Sequence, residues 1–399
     1  MTRQKSIIVA SAHLADGPLK LGSSHLARCF AEAGYRTLYL NAPTSLLHWL
    51  NPSSRAAATQ RWRALRLQST ATPNLSELTP LTYLPHHNSP LLRSAPTLWH
   101  WPDFTLPRIA NSLADAGFDD ADAIVFDSVM FWPLAKKLKL ASVYRIAEAI
   151  GGFAVNTPAM IALHREVLCD ADFVFYTADH LAPGADERRG PSRMISNGVY
   201  ASRFEAPQPV PEEYKNLRRP IVVYAGAIED WFDADGLRQA AHRFPNAVFI
   251  IIGPNGDRIK DRTACTNVHV LGSRPHGQLP AYLQHADIGI IPFDLTRSGP
   301  MLDGVCPLKL FEYLASGIDV VSFGGAGVKA LHAPAHLYDP RPGSSAAHAS
   351  FVDALGAALA GISASPPFVE ARRIFARKAD WKARLQELEL AMRAAGIAI

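Results

Sequence analysis

Cysteine is scarce in this chain. Four stand among 399 residues, Cys29, Cys169, Cys265 and Cys306, far apart and with no Cys-x-x-Cys pair. That excludes a zinc ribbon or a disulfide framework and makes a reducing cytoplasm the expected compartment. Long apolar runs are also missing. None approaches the ~18 residues of a membrane-spanning helix. The Ile7–Ala12 stretch is too short for the apolar core of a leader and reads as a first β-strand. Charge is sparse and nearly balanced: charged residues make up 19%, and Lys+Arg 40 against Asp+Glu 36 leave a formal +4. A dedicated nucleic-acid binder carries far denser positive charge. An acidic small substrate or an anionic membrane surface fits better. There is no internal repeat and no low-complexity segment. What is present is an ordinary globular balance, 48% hydrophobic with mean hydropathy +0.01, over a length that holds two or three domains.

Strand and helix patterns alternate. Ser6–Ala12 is a predicted strand and Ser23–Gly34 a helix, with Leu26, Cys29, Phe30 and Ala33 on one face. Thr37–Leu40, Ala123–Phe126, Ser142–Tyr144, Phe173–Tyr176 and Arg193–Ile195 are further strands. Helices are predicted at Phe131–Lys137 and Thr157–Leu168. Pro207, Pro209 and Pro211 mark a soft boundary over residues 201–219. The pattern then restarts, with strands at Ile221–Ala225, Val248–Ile252, Val268–Leu271, Ile288–Ile291 and Val320–Ser322. Helices lie between them at Asp233–Arg243, Leu279–His285 and Leu308–Ala315. This order predicts an α/β protein with two doubly wound Rossmann-like domains facing across a cleft. The domains are expected at 1–200 and 201–368. A long helix from Val369 to Met392, within 369–399, is expected to cross back to the first domain, with Ile374, Trp381, Leu385, Leu388 and Met392 on its buried stripe.

The most informative stretch runs from Cys306-Pro-Leu-Lys-Leu-Phe-Glu to Val321. Pro307 suits a first helical turn and Gly317 a helix end. A helix N-terminus there favours an anion. Lys309 and Glu312, three apart, share a face. Lys would neutralise phosphate and Glu would accept ribose hydroxyls, which suits a nucleotide; the same spacing also serves a plain ion pair on a solvated helix.

The run Pro-x-Lys-x-x-Glu-Tyr-x-Ala-x-Gly-x-x-Val-Val resembles the donor-binding helix of GT-B glycosyltransferases. Tyr224-Ala-Gly-Ala-Ile-Glu-Asp-Trp231, Ile250-Ile-Ile-Gly-Pro254, Asn267-Val-His-Val-Leu-Gly272 and Ala286-Asp-Ile-Gly-Ile-Ile-Pro-Phe293 resemble other units of their C-terminal domain. Within that superfamily the chain is similar to teichuronic-acid-type transferases and to the xanthan-pathway β-glucuronosyltransferase. Ser11-Ala-His13 and Tyr144-Arg-Ile-Ala-Glu148 resemble its Ser-Ser-His and Tyr-Arg-x-x-Asp, whose Asp is the proposed general base. The resemblance implies Glu148 as the catalytic base taking the proton of an acceptor hydroxyl. It implies Lys309, Glu312, Gly226, Asp230, Ser273, Arg274, Ser298 and Asp303 on the donor side. His13, Arg145, Gly22 and Ser23 fall on the acceptor side or in the cleft. On the residues alone, Glu148 also fits a helix-start carboxylate, Arg145 a salt-bridge partner, and Gly22-Ser23 a capped loop. Retaining relatives carry a Glu at the place of Gly304, which favours inversion here. Asp319 stands where relatives have Pro and is expected to affect only the strand entry.

Residues 44–110 differ from the rest. Trp49, Trp62, Trp99 and Trp101 interleave with Arg55, Arg61, Arg63, Arg66, Arg93 and Arg108, and acids are few, Glu77 and Asp103. Such interleaving suits a lipid headgroup interface, or an acceptor-side loop cluster with partly buried Trp. The expectation is a bacterial glycosyltransferase, cytoplasmic and peripheral on an anionic inner membrane. It would use a nucleotide sugar, UDP-linked by preference, and a lipid-linked or polysaccharide acceptor, as in exopolysaccharide synthesis. No cofactor, metal or nucleic acid is expected. A retaining transferase of the same fold, a nucleotide-sugar epimerase and a non-catalytic scaffold are the alternatives.

Overall fold

The computed structural model describes residues 3–15, 22–49, 52–65, 67–148, 150, 156–184, 186–295, 303–340, 345–362 and 366–399. The chain forms two compact units. The first comprises Met1–Ile195 with Arg384–Ile399, and the second Ser196–Ala383.

The first unit holds an eight-stranded sheet: β1 (Ser6–Ser11), β2 (Arg36–Asn41), β3 (Gln68–Ser69), β4 (Leu75–Leu78), β5 (Ala123–Phe126), β6 (Ala141–Ile146), β7 (Phe173–Tyr176) and β8 (Ser192–Met194). Their order is β3-β4-β2-β1-β5-β6-β7-β8. All pairs are parallel except β3 with β4. The second unit holds β9 (Ile221–Ala225), β10 (Val248–Ile252), β11 (Val268–Gly272), β12 (Ile288–Ile291), β13 (Asp319–Phe323) and β14 (His336–Tyr338). They form an all-parallel sheet in the order β11-β10-β9-β12-β13-β14.

Every residue of β1, β9 and β10 is buried. Continuous apolar runs, rather than alternation, are what a parallel strand covered on both faces requires. The predicted strands of both units therefore form within a residue or two of their expected ends. Several elements escaped the periodicity, among them β3, β4 and the helices Pro52–Arg63 and Ile109–Asp115 in the first unit, and two in the second. The strand β14 is a three-residue edge with one buried position. The helix Ser345–Ala360 is so rich in Ala that no polar stripe marks it, although Phe351, Leu355 and Ala358 are buried.

In each sheet the chain winds outward in both directions from a central pair. The reversal falls between β1 and β5 in the first sheet and between β9 and β12 in the second. Ligands of open α/β sheets bind at the carboxyl ends of the strands beside such a reversal. That rule places a candidate site in each unit before any side chain is considered.

The C-terminal stretch departs from expectation. It is two helices, Pro366–Lys378 and Trp381–Ala394, not one. Asp380 separates them. It bridges to Val199, accepts from the Ala201 N–H at 3.1 Å, and caps the second helix through the Lys382 N–H at 2.9 Å. The break rephases the stripe: Trp381, Leu385, Leu388 and Met392 are buried, but Ile374 is exposed. The second helix begins in unit two and ends in unit one, where Glu389 accepts from the Tyr35 hydroxyl at 2.8 Å.

Asp319 does more than shape the entry to β13. Its carboxylate is buried and ion-paired with Arg372 of the helix Pro366–Lys378. The same guanidinium donates to the Gly317 carbonyl at 3.0 Å. Gly317, at φ +84°, ends the Leu308–Ser316 helix in the left-handed conformation that glycine adopts freely. Arg372 thus ties a helix end, a strand start and a second helix together. Removing one partner strands the other's charge in the interior. Arg372→Ala is expected to destabilise unit two by roughly 3–5 kcal/mol, whereas replacing both residues with apolar ones costs much less. Urea unfolding of both variants checks this; equal losses would contradict it.

Candidate active site

In unit two the site grows from the helix Leu308–Ser316. Leu310, Phe311, Tyr313, Leu314 and Ala315 bury its core face. Pro307 is the N-cap rather than part of the first turn. Tyr313 accepts from the Ala225 N–H at 2.8 Å, which fixes the helix against the end of β9. Lys309 and Glu312 are left on the opposite side.

The Lys309 ammonium lies 5.0 Å from the Tyr224 ring centroid and 4.7 Å from that of Phe293. Tyr224 is on β9 and Phe293 two residues past β12. The cation therefore stands at the sheet's reversal, between two aromatic faces that attract it. Its Nζ is 3.5 Å from the Tyr224 hydroxyl. Burial pulls its pKa down to about 8, opposed by Glu312. Gly226 makes this position possible: a Cβ there would meet Lys309 Cε at 2.7 Å and Nζ at 2.9 Å. Glu312, nearly buried, accepts a 2.8 Å hydrogen bond from His276 Nε2.

Gly226, Lys309 and Glu312 are thus brought together, and the structure adds Tyr224, Phe293 and His276. Of the other predicted donor-side residues, the described ones are exposed or held by other partners. Ser273 is exposed beyond β11. Arg274 is held by Glu213 at 2.8 Å, the Tyr282 hydroxyl at 3.1 Å and the Leu271 carbonyl at 2.7 Å. Asp230 is exposed beside Arg258 at 3.5 Å. Asp303 is exposed and accepts from the Ala326 N–H at 3.1 Å. Ser298 lies outside the described residues.

In unit one the reversal holds a residue the sequence reading missed. Asp127 directly follows β5. Its Oδ2 accepts from Ser11 Oγ at 2.7 Å and Ser23 Oγ at 2.6 Å. It joins the end of β1 to the start of the helix Gly22–Glu32, where Gly22 and Ser23 are buried. The anion beside this helix N-terminus is the protein's own carboxylate. His13, exposed, donates its backbone N–H to Ser11 Oγ at 3.3 Å. Arg145 is buried near the end of β6, and Glu148, two residues past that strand, is accessible. Desolvation holds the Glu148 carboxyl above the ordinary carboxylate range; Arg145 opposes this and Asp127 adds to it. Asp127 was readable as the first polar residue after an apolar strand.

The aromatic segment divides. Trp101 is fully buried and donates to the Met130 carbonyl at 2.6 Å. Trp49, Trp62 and Trp99 are exposed. Trp49 and Trp62 meet edge to face, centroids 6.4 Å apart. Arg61 turns inward, donating to the Ala12 carbonyl at 2.6 Å. Arg66 lies outside the described residues. Among the described residues no group of three or more His, Cys, Asp or Glu side chains is placed to hold a metal ion.

Two doubly wound sheets, each with a candidate site at its reversal, make up the GT-B fold. Residues 9–177 match the family described as Glucuronosyltransferase GumK, N-terminal domain, and residues 219–359 match Glycosyl transferases group 1. The two matches lie one after the other along the chain, a GumK-like N-terminal domain and then a group 1 glycosyl transferase domain, the arrangement of a GT-B glycosyltransferase. It is 25% identical over 277 residues to TuaH of Bacillus subtilis (strain 168), a glycosyltransferase named for teichuronic acid biosynthesis. That stretch is 67% of this chain and 66% of TuaH, just under two thirds of the relative's length. Solved structures agree on the fold. Sucrose-phosphate synthase from Thermosynechococcus elongatus superposes with a TM-score of 0.68 at 14% identity, covering 98% of this chain and 99% of that one. HepE of Anabaena, solved with UDP, gives 0.63 at 14% identity, covering 98% and 100%.

Proposed function

We propose that the chain transfers a sugar from a nucleotide sugar, UDP-linked, to a hydroxyl of a lipid-linked or polysaccharide acceptor, with inversion at the sugar's anomeric carbon. The observation that carries this is Lys309 held between Tyr224 and Phe293 at the opening of a helix beside the β9/β12 reversal. A cation and the free N–H groups of a helix start together suit a diphosphate. Glu312, one turn on, suits the ribose hydroxyls. The acceptor oxygen bonds to the anomeric carbon as the bond to the diphosphate breaks. The electron pair leaves with the diphosphate, whose growing charge Lys309 and the helix N-terminus stabilise. The acceptor's proton passes to Glu148, whose raised pKa suits a general base. A glucuronosyl or other hexosyl donor fits the GumK-like domain, since GumK is described as a glucuronosyltransferase.

Without acceptor, water takes the hydroxyl's place and the donor is slowly hydrolysed. Proton NMR of that reaction, with EDTA present, is expected to show the inverted anomer first. The retained anomer would favour the retaining alternative, a new epimer of intact donor the epimerase, and no turnover the scaffold.

We further propose that Trp49, Trp62 and their neighbours rest on an anionic membrane surface. Leu46, Leu47 and Leu67, near them in the sequence, are also exposed, as are Arg55 and Arg63. Among the described residues no helix is long and apolar enough to cross a membrane. Apolar wedges framed by Arg bind headgroups while remaining outside the bilayer core. Flotation with phosphatidylglycerol vesicles is expected at low salt and to weaken as salt rises. Replacing both Trp49 and Trp62 with Ala should cut binding roughly tenfold. Equal flotation of the double variant would refute this surface.

A further inference from the structure

We infer that His276 is a positioning residue that makes the site selective for ribonucleotides over 2′-deoxyribonucleotides, by holding the Glu312 carboxylate in the orientation that accepts the ribose hydroxyls. This assignment rests on Glu312 as the ribose-binding carboxylate. His276 has no place in the chemistry described above.

The geometry is specific. His276 opens a short turn, His276–Gln278, after β11. From there it reaches the helix carrying Glu312 and meets Oε1 at 2.8 Å, with both side chains largely withdrawn from solvent, 23% and 11% exposed. An ionised carboxylate only accepts, so the imidazole Nε2–H donates. The ring stands edge to face with Phe204, centroids 6.0 Å apart, and Phe204 is itself buried. That contact limits rotation of the imidazole and fixes the direction of its N–H.

The helix supplies the reason a clamp is needed. Lys309 precedes Glu312 by three residues, the spacing at which Lys and Glu side chains pair. Glu312 already acts on the ammonium electrostatically. If the carboxylate swung onto Lys309, one ion pair would take both groups away from a ligand. Instead Lys309 lies over Tyr224 and Phe293, and Glu312 is drawn toward His276. With Oε1 committed to His276, the plane of the carboxylate is set. A vicinal diol meets a carboxylate through two parallel hydrogen bonds, so a fixed plane distinguishes two hydroxyls from one. Loss of one charge-assisted hydrogen bond corresponds to a fall in affinity of about tenfold or more.

The test is calorimetric titration of UDP and 2′-deoxy-UDP into wild type, His276→Ala, His276→Gln and Glu312→Ala. Gln places an amide N–H near the position of the imidazole Nε2. Wild type is expected to prefer UDP by about tenfold, and His276→Ala to bring the two nucleotides within about twofold of each other. His276→Gln should keep most of the preference, and thermal unfolding of each variant reports that it is folded. A purely structural His276 would weaken both nucleotides alike and leave their ratio unchanged, which would overturn the proposal. Two failures are distinguishable. If Glu312→Ala abolishes the preference and His276→Ala does not, His276 alone is wrongly assigned. If wild type shows no preference and Glu312→Ala changes nothing, the ribose role of Glu312 falls and the His276 proposal falls with it.

Discussion

Glu148→Gln is expected to lower turnover by roughly 10²- to 10⁴-fold while leaving nucleotide affinity unchanged. Gln preserves size and hydrogen bonding but cannot accept the acceptor's proton. The pH profile provides a finer check. A base must be ionised to work, so the rate rises with pH through the Glu148 pKa. Desolvation sets that pKa above the ordinary carboxylate range, against the pull of Arg145 and with help from Asp127. Asp127→Asn removes a negative charge that favours the protonated form, so the acid limb should move to lower pH. Arg145→Gln removes a positive charge that favours the ionised form, so the limb should move to higher pH. Opposite displacements identify Glu148 as the titrating group. A limb that neither substitution moves, or a Glu148→Gln enzyme with full turnover, would remove Glu148 from the chemistry and favour retention.

Lys309→Ala carries the second large effect. Hydrogen bonds to charged groups contribute about 1.5–3 kcal/mol, so nucleoside diphosphate affinity should fall roughly 10- to 150-fold. A milder variant tests the same geometry. Gly226→Ala places a methyl where Lys309 Cε and Nζ lie, at 2.7 and 2.9 Å, so the lysine must move while its charge remains. Affinity should fall there too, by a smaller factor. The depressed pKa adds a pH signature. Burial brings Lys309 to about 8, so the free enzyme loses this charge as pH rises past that value. Nucleotide affinity should therefore be highest below pH 8 and decline above it. In Lys309→Ala that decline should vanish. Affinity independent of pH in wild type would mean that another group holds the diphosphate.

Much of the fold was legible because parallel strands leave a plain signal. Residues Ile221–Ala225, Val248–Ile252 and Ile288–Ile291 are apolar throughout and form the expected strands without adjustment. The Leu308–Ser316 helix was legible from Gly317 at its end and from Lys309 and Glu312 on one face. The rest required three dimensions. Tyr224 and Phe293 meet Lys309 only because β9 and β12 are neighbours, although 69 positions separate the two aromatic residues in the sequence. His276 reaches Glu312 across 36 positions. Asp127 joins Ser11 and Ser23 because β5 lies beside β1. The break at Asp380 was hidden because Ala379 and Asp380 interrupt no apolar periodicity. It is made by Val199 and Ala201, which lie about 180 positions earlier. Asp319 was expected to affect only the strand entry, and only the fold shows that it is buried against Arg372.

We propose that the donor nucleotide sits at the β9/β12 reversal, beside Lys309. The most direct test of this placement is calorimetric titration of UDP, GDP, ADP and dTDP into the wild-type protein without added metal. UDP is expected to bind most tightly, with a one-to-one stoichiometry. Binding of none of the four, or binding of all four with equal strength, would contradict it.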